Sequence, residues 1–167
     1  DADWLESNYV STWFRMLCAP PDHSMVAGRT LLESAVRPPS SEDDVNLTSD
    51  SAAARLWSFC QEVLPTGVFS GLMPLDIVRR LPPQRNVLGH DWILLANIAV
   101  LGKIATVDST AIHRETDGAS TSFAGLAHTL GISRWQTVRP LATIACFMVA
   151  GCLHRSPLLG RLPPFQA

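Results

Sequence analysis

Two stretches of this chain, Trp92–Gly102 and Leu141–Leu153, are apolar around nearly their whole helical circumference, interrupted only by small or weakly polar residues. Each falls short of the roughly 20 residues that a bilayer span needs. Protein must therefore cover them, and a helix that is apolar all round needs cover on more than one side. In the second stretch Leu141, Ile144, Ala145, Cys146, Phe147, Met148 and Val149 leave no polar face. One domain face cannot bury all of that, so either the first ninety residues wrap it or a second subunit does. The chain has the material for such a core, with 167 residues, 47% of them hydrophobic and 17% charged. A chain of this size removes roughly 70% of its unfolded surface from water, and its charge content is too low for a disordered protein.

The spacing of apolar residues predicts mainly helices. Trp4, Leu5, Tyr9, Val10, Trp13, Phe14, Met16 and Leu17 recur at three- and four-residue steps, which reads as an amphipathic helix stopped by Pro20-Pro21. A short second helix is expected from Met25 to Val36. The breaker-rich acidic stretch 37–50 reads as a flexible connection. Ser49 or Asp50 then caps a helix that uses Ala53, Leu56, Trp57, Cys60 and Val63, and a further short helix fits 73–81, ended by Pro82-Pro83. His90 or Asp91 opens the apolar run from Trp92, expected to be a central core helix. Residues 107–118 read as polar and turn-rich. The domain boundary falls near residue 86, giving an N-terminal helical region, 1–86, and a C-terminal domain, 87–167.

Charge is unevenly spread although the net is only −2. Residues 1–102 hold seven arginines against twelve carboxylates, while residues 103–167 hold six basic groups against three acidic ones. From Ala119 onward no Asp or Glu occurs, and Arg134, Arg139, Arg155 and Arg161 remain. Such an end can meet a polyanion.

The most informative segment is Thr121–Arg139. Thr121 or Ser122 can cap a short helix whose Phe123, Leu126, Ala127 and Leu130 share one face. Gly131 stands where the chain must turn, Ile132 drops into the crease, and Ser133 caps the next helix. The run Leu126-Ala127-His128-Thr129-Leu130-Gly131-Ile132-Ser133-Arg134 resembles the helix-turn-helix signature of bacterial regulators, in which an Ala precedes the turn Gly by four residues. Downstream, Met148–Arg155 resembles the end of the third helix and the first wing strand of winged helix-turn-helix transcriptional regulators. The resemblance covers about residues 91–160. The chain departs from that pattern at Thr137-Val138, which comes one residue late, and at Pro140, where the recognition helix either kinks or restarts.

The resemblance implies a mainly α fold, with N-terminal helices packed on a C-terminal winged helix-turn-helix domain carrying a small β-wing. It implies sequence-specific binding of double-stranded DNA by a transcriptional regulator that inserts helix 133–139 into the major groove. Arg134, Gln136 and Arg139 would face base edges. Thr121, Ser122, Ser133, Thr137 and His154 would hold phosphates or flank them. Arg155 and Arg161 would reach the backbone or minor groove from the wing. Two-fold regulators read paired half-sites, so a homodimer is expected, with the N-terminal region serving dimerisation or a small apolar effector.

Other chemistry finds little support. Histidines 23, 90, 113, 128 and 154 lack metal-ligand spacing, and no Walker loop, dinucleotide glycine turn or nucleophile elbow occurs. No cofactor, metal or catalytic residue is expected. Four cysteines without a CxxC read as reduced thiols. With no basic-then-apolar leader opening these residues, a cytoplasmic location and no membrane contact are expected. The alternative is a helical protein–protein interaction module that keeps a winged fold without binding DNA.

Overall fold

Residues His23–Glu33 (β2) and Lys103–Glu115 (β4) run side by side as parallel strands, and the rest of the chain is arranged on them. The computed structural model describes residues 3–18, 22–34, 38–41, 44–62, 66–82, 86–115 and 123–154. Two-residue strands border the pair. Trp4–Leu5 (β1) lies antiparallel to β4, and Ser40–Ser41 (β3) lies antiparallel to β2, giving the order β1-β4-β2-β3. Single antiparallel bridges, Leu72 to Val26 and Leu47 to Ile104, cover further stretches of the two edges.

The fold is therefore α/β, and the expected mainly α architecture with a C-terminal winged helix-turn-helix domain and a small β-wing is corrected. The described residues form six α-helices and one four-stranded mixed sheet. Of the segment expected to be a helix, Met25–Glu33 lies in β2, and of the segment read as turn-rich, Val107–Glu115 is the second half of β4; residues 35–36 and 116–118 lie outside the described residues. Both long strands are covered on two faces, so they show no polar–apolar alternation. β2 is buried almost continuously from Ser24 to Ala27. In β4 the polar triplet Asp108-Ser109-Thr110 is a bulge: Gly28 pairs with Val107, but the next residue, Arg29, pairs with Ala111.

Alternate side chains of β2 serve opposite faces. Met25 and Ala27 join Ile104 in a core with Leu94, Leu95, Ile98 and Ala99 of the helix His90–Leu101, and with Phe59 of the helix Ala52–Glu62. Val26 joins Ile112, Tyr9 and Trp13 on the other face, beneath the helix Tyr9–Cys18. In chain order these helices are α1 (Tyr9–Cys18), α2 (Ala52–Glu62), α3 (Leu75–Arg80) and α4 (His90–Leu101). The first expected helix is thus split, its Trp4-Leu5 end becoming β1. α2 is capped by Ser51, whose Oγ accepts the Ala54 N–H at 3.3 Å, and it turns Phe59 inward while Trp57 and Cys60 are exposed. α4 is the central helix expected from its composition. Every residue from Leu94 to Leu101 is buried, between the sheet, α2 and a C-terminal helix, with Ile77 of α3 against its last turn.

Ionic groups close the end of the sheet where β2 and β4 begin. Lys103 Nζ lies 2.5 Å from Asp22 Oδ2 and 2.8 Å from Asp50 Oδ1. Arg55 turns into the protein and donates to the carbonyls of Ala99, Val100, Ser49 and Asp50 at 2.6–3.2 Å, supplying donors to the C-terminus of α4. At the other end Trp4 stacks on His113 at 3.5 Å, and His113 Nδ1 lies 2.6 Å from Glu33 Oε1, tying β1 across β4 to β2.

Substitutions at Gly28 and Lys103 put this packing to the test. Asn8 holds the β4 bulge through Ser109 O and Thr110 Oγ1, and a Cβ on Gly28 would stand 2.6 Å from Tyr9 Cε2 and 2.7 Å from Thr110 O. Gly28→Ala is expected to lower unfolding free energy in urea by about 1–3 kcal/mol, the usual cost of overpacking. Hydrogen bonding to Lys103 holds Asp22 below the usual carboxylate range, and the Asp22 and Asp50 partners hold Lys103 above the usual lysine range. The Asp22 contribution is complete above its unfolded value of about 3.9 and is lost as pH falls through its lower folded value. The Lys103 contribution is complete below about 10.4 and is lost as pH rises through its higher folded value. The melting temperature of Lys103→Met should therefore lie below that of the wild type by a constant margin near neutrality, and the margin should shrink at both pH extremes.

Candidate functional site

The C-terminal elements begin with the helix Phe123–Thr129 (α5) and its turn. The Ile132 N–H donates to Ala127 O at 2.8 Å and the Gly131 N–H to His128 O at 3.2 Å, a glycine-closed helix end with Gly131 at φ 63°. Ala127 and Ile132 are buried, as their places in the motif predict. Two contacts anchor this turn to the chain before α4. Asn86 Nδ2 donates to Leu130 O at 2.7 Å, and Gln136 Oε1 accepts the Leu88 N–H at 2.9 Å.

Beyond the turn the expected recognition helix 133–139 is replaced. Arg134–Thr137 is a single 3₁₀ turn, with Gln136 N–H to Ser133 O at 3.0 Å and Val138 N–H to Trp135 O at 3.3 Å. Pro140 is the cause. It offers no N–H to Gln136 O, and its ring opposes an α-helix running through it. A new helix, Pro140–His154 (α6), starts with the proline in its first turn, where the missing donor costs nothing. Residues 148–154, expected to pass into a wing strand, are the last turns of α6.

Of the ten residues expected at a DNA surface, Ser133, Gln136, Thr137 and Arg139 have side chains within the described residues. Gln136 is buried and its carboxamide oxygen is committed to Leu88, so it is not placed as a base reader. Ser133 is exposed and its hydroxyl makes no cap bond. Thr137 is half-buried, and Arg139 is exposed beside α6. Arg134 and His154 lie on the 3₁₀ turn and the last turn of α6, their side chains outside the described residues. Thr121, Ser122, Arg155 and Arg161 also lie outside the described residues.

The arrangement instead assembles an apolar surface. α6 has two faces of similar chemistry. Thr143 and Ile144 are buried and Met148 packs on the core around α4. Ile144 sits on Gly89, where φ is 70° and a Cβ would stand 2.6 Å from Ile144 Cγ1. The opposite stripe (Leu141, Ala142, Ala145, Cys146, Val149 and Ala150) is exposed and runs along one side of the helix at four-residue steps. Trp135 and Val138 extend it from the 3₁₀ turn. These large side chains are far from buried: Trp135 is 59% exposed, Val138 77%, Leu141 61% and Val149 56%. Between turn and helix lies an open groove of about 500 Å³, lined by Trp135, Val138 and Arg139 from the turn and by Ala142, Cys146 and Phe147 from α6. The Trp135 and Phe147 rings lie 6.3 Å apart. The apolar composition of α6 is legible in the sequence. Its extension by Trp135 and Val138 is not, because a tryptophan after a turn reads equally well as a core or hinge group.

The depression of about 310 Å³ at the start of β2 and β4 is lined by Asp22, Asp50, Lys103 and Arg55, which are paired with one another or with carbonyls, and also by His23, Asp76 and Arg80. Ser24 Oγ lies 3.0 Å from both Ile98 O and Lys103 O, a packing role. Among the described residues no group of three or more His, Cys, Asp or Glu side chains could hold a metal ion, and no helix is long and apolar enough to cross a membrane. No family model, curated protein or solved structure matches the chain.

The bond between Gln136 and Leu88 gives a direct check on this geometry. Gln136→Ala leaves a buried N–H without its acceptor and is expected to cost about 1–3 kcal/mol in urea unfolding. A base-reading glutamine on an exposed ridge would cost nothing measurable.

Proposed function

We propose that this chain is a protein-interaction module that docks a partner through the outward face of α6 and the adjoining 3₁₀ turn. One observation carries the reading: an uninterrupted exposed apolar stripe on a helix that contains no Asp, Glu, Lys or Arg. Contiguous exposed apolar surface beyond a few hundred Å² marks interaction sites, and aromatic anchors such as Trp135 are typical of interface centres. Insertion into DNA is less well supported. A four-residue 3₁₀ turn is only about 8 Å long, and Arg139 borders apolar rather than basic neighbours.

A photo-cross-linking residue at position 142, introduced in the expressing cell, tests this. Protein adducts are expected, and Val138→Asp should suppress them several-fold by placing a charge on the same surface. Random-sequence duplex DNA serves as the opposing probe. Absence of protein adducts, together with duplex binding that falls steeply with salt and disappears in Arg139→Ala, would overturn the proposal in favour of a DNA-binding role.

A further inference from the structure

We infer that the partner seated on this face is a second copy of the chain, with the two α6 helices packed antiparallel about a two-fold axis passing between Ala145 and Cys146. The inference rests on the docking reading above and specifies its occupant.

The order of side chains along the exposed stripe is the first argument. Turning α6 end for end about that axis sets Val149 against Ala142 of the second copy along the middle of the seam, with the two Cys146 side chains side by side on one flank and the two Ala145 side chains on the other. The Val149–Ala142 pair places a larger group on a smaller one, and it occurs twice because a two-fold interface is isologous. Small side chains at the crossing let two helices approach to the lower end of the usual 8–10 Å separation. The absence of Asp, Glu, Lys and Arg from α6 is the second argument. Two like faces that carried charge would repel, whereas these two present matching apolar surface with no ion pair to satisfy. Area is the third. Trp135, Val138, Leu141 and Val149 are more than half exposed. With them the patch offers on the order of 600 Å² on each copy, at the top of the range an ordinary monomer exposes and near the ~800 Å² per partner of a standard interface. A patch of this size fits a reversible dimer rather than an obligate one.

Near the axis, each Cys146 lies beside Cys146 of the other copy, with the two thiols about one residue apart along the helices. Facing residues on helices this close can bring Cα atoms inside the ~7 Å limit for a disulfide. Cys146 is exposed and unpaired in the single chain.

The experiment combines association with register. Sedimentation equilibrium of the wild type should show monomer and dimer exchanging in the micromolar range, and Ala145→Arg should shift the dissociation constant at least tenfold towards monomer. Because Ala145 is exposed, the variant's circular dichroism and melting curve should match the wild type. Val149→Ala and Ala142→Val should each weaken the dimer, and the double variant should recover most of the affinity, since the antiparallel register sets these positions opposite each other. With Cys18, Cys60 and Cys152 replaced by serine, mild oxidation should yield a covalent dimer through Cys146. The cross-linker at position 142 should give an adduct of twice the chain mass. A wild type that stays monomeric at 100 μM, a dimer untouched by Ala145→Arg, or a double variant no better than the single ones would each overturn the inference. Adducts only with another protein would overturn it while leaving the docking reading intact. Adducts only within one chain, to residues 155–167, would overturn both.

Discussion

A helix without a polar side has to be enclosed, and the enclosure of α4 organises this protein. From Leu94 to Leu101 every residue of α4 is buried. The sheet covers one side through Met25, Ala27 and Ile104, α2 covers a second through Phe59, and α6 closes a third. Burying a Leu or Ile side chain stabilises by about 1.5–3 kcal/mol, so the row Leu94, Leu95, Ile98 and Leu101 anchors elements drawn from most of the chain. Arg55 shows how tightly the arrangement is held. Its guanidinium lies inside the protein because the last carbonyls of α4 need donors, and burial lowers its pKa from the ordinary value.

The same constraint explains why α6 differs from α4 although their compositions are alike. Among its described side chains, α6 reaches the core through Thr143, Ile144 and Met148. Pro140 sets where it starts, the Gly131 turn sets where the chain comes from, and Gly89 admits Ile144 at close range. With those three points in place the opposite stripe faces outward. The sheet cannot cover it, being already occupied by α1 on one face and by α4 on the other. The site is thus a consequence of packing, an apolar helix with one more face than a single chain encloses.

Much of the helical part was legible from residue spacing. α3, α4, α5 and the Gly131 turn stand where periodicity and breakers put them, because each has a local cause: an apolar repeat, a proline stop, a glycine end. The long strands were not legible. β2 is buried on both faces and so lacks alternation, and the bulge at 108–110 makes half of β4 read as a turn. The expected winged helix-turn-helix fold went astray for a related reason. The turn is real and local, but the recognition helix depends on the residues after it, and Pro140 diverts the chain. Gln136 then faces Leu88, forty-eight residues earlier, a pairing that no window around the motif contains.

Taken alone, the residues determined that two apolar helices need cover, that the chain turns at Gly131, and that α6 carries no Asp, Glu, Lys or Arg. Those properties come from side-chain chemistry and from the dihedral limits of glycine and proline, which act over a few residues. Only the tertiary structure decided that the N-terminal half supplies a strand beside β4, that α4 is the helix fully enclosed, and which stripe of α6 is left outside. These outcomes depend on contacts between residues far apart in the chain. Which of two equally apolar faces meets the core is set by the shape of the surface it meets.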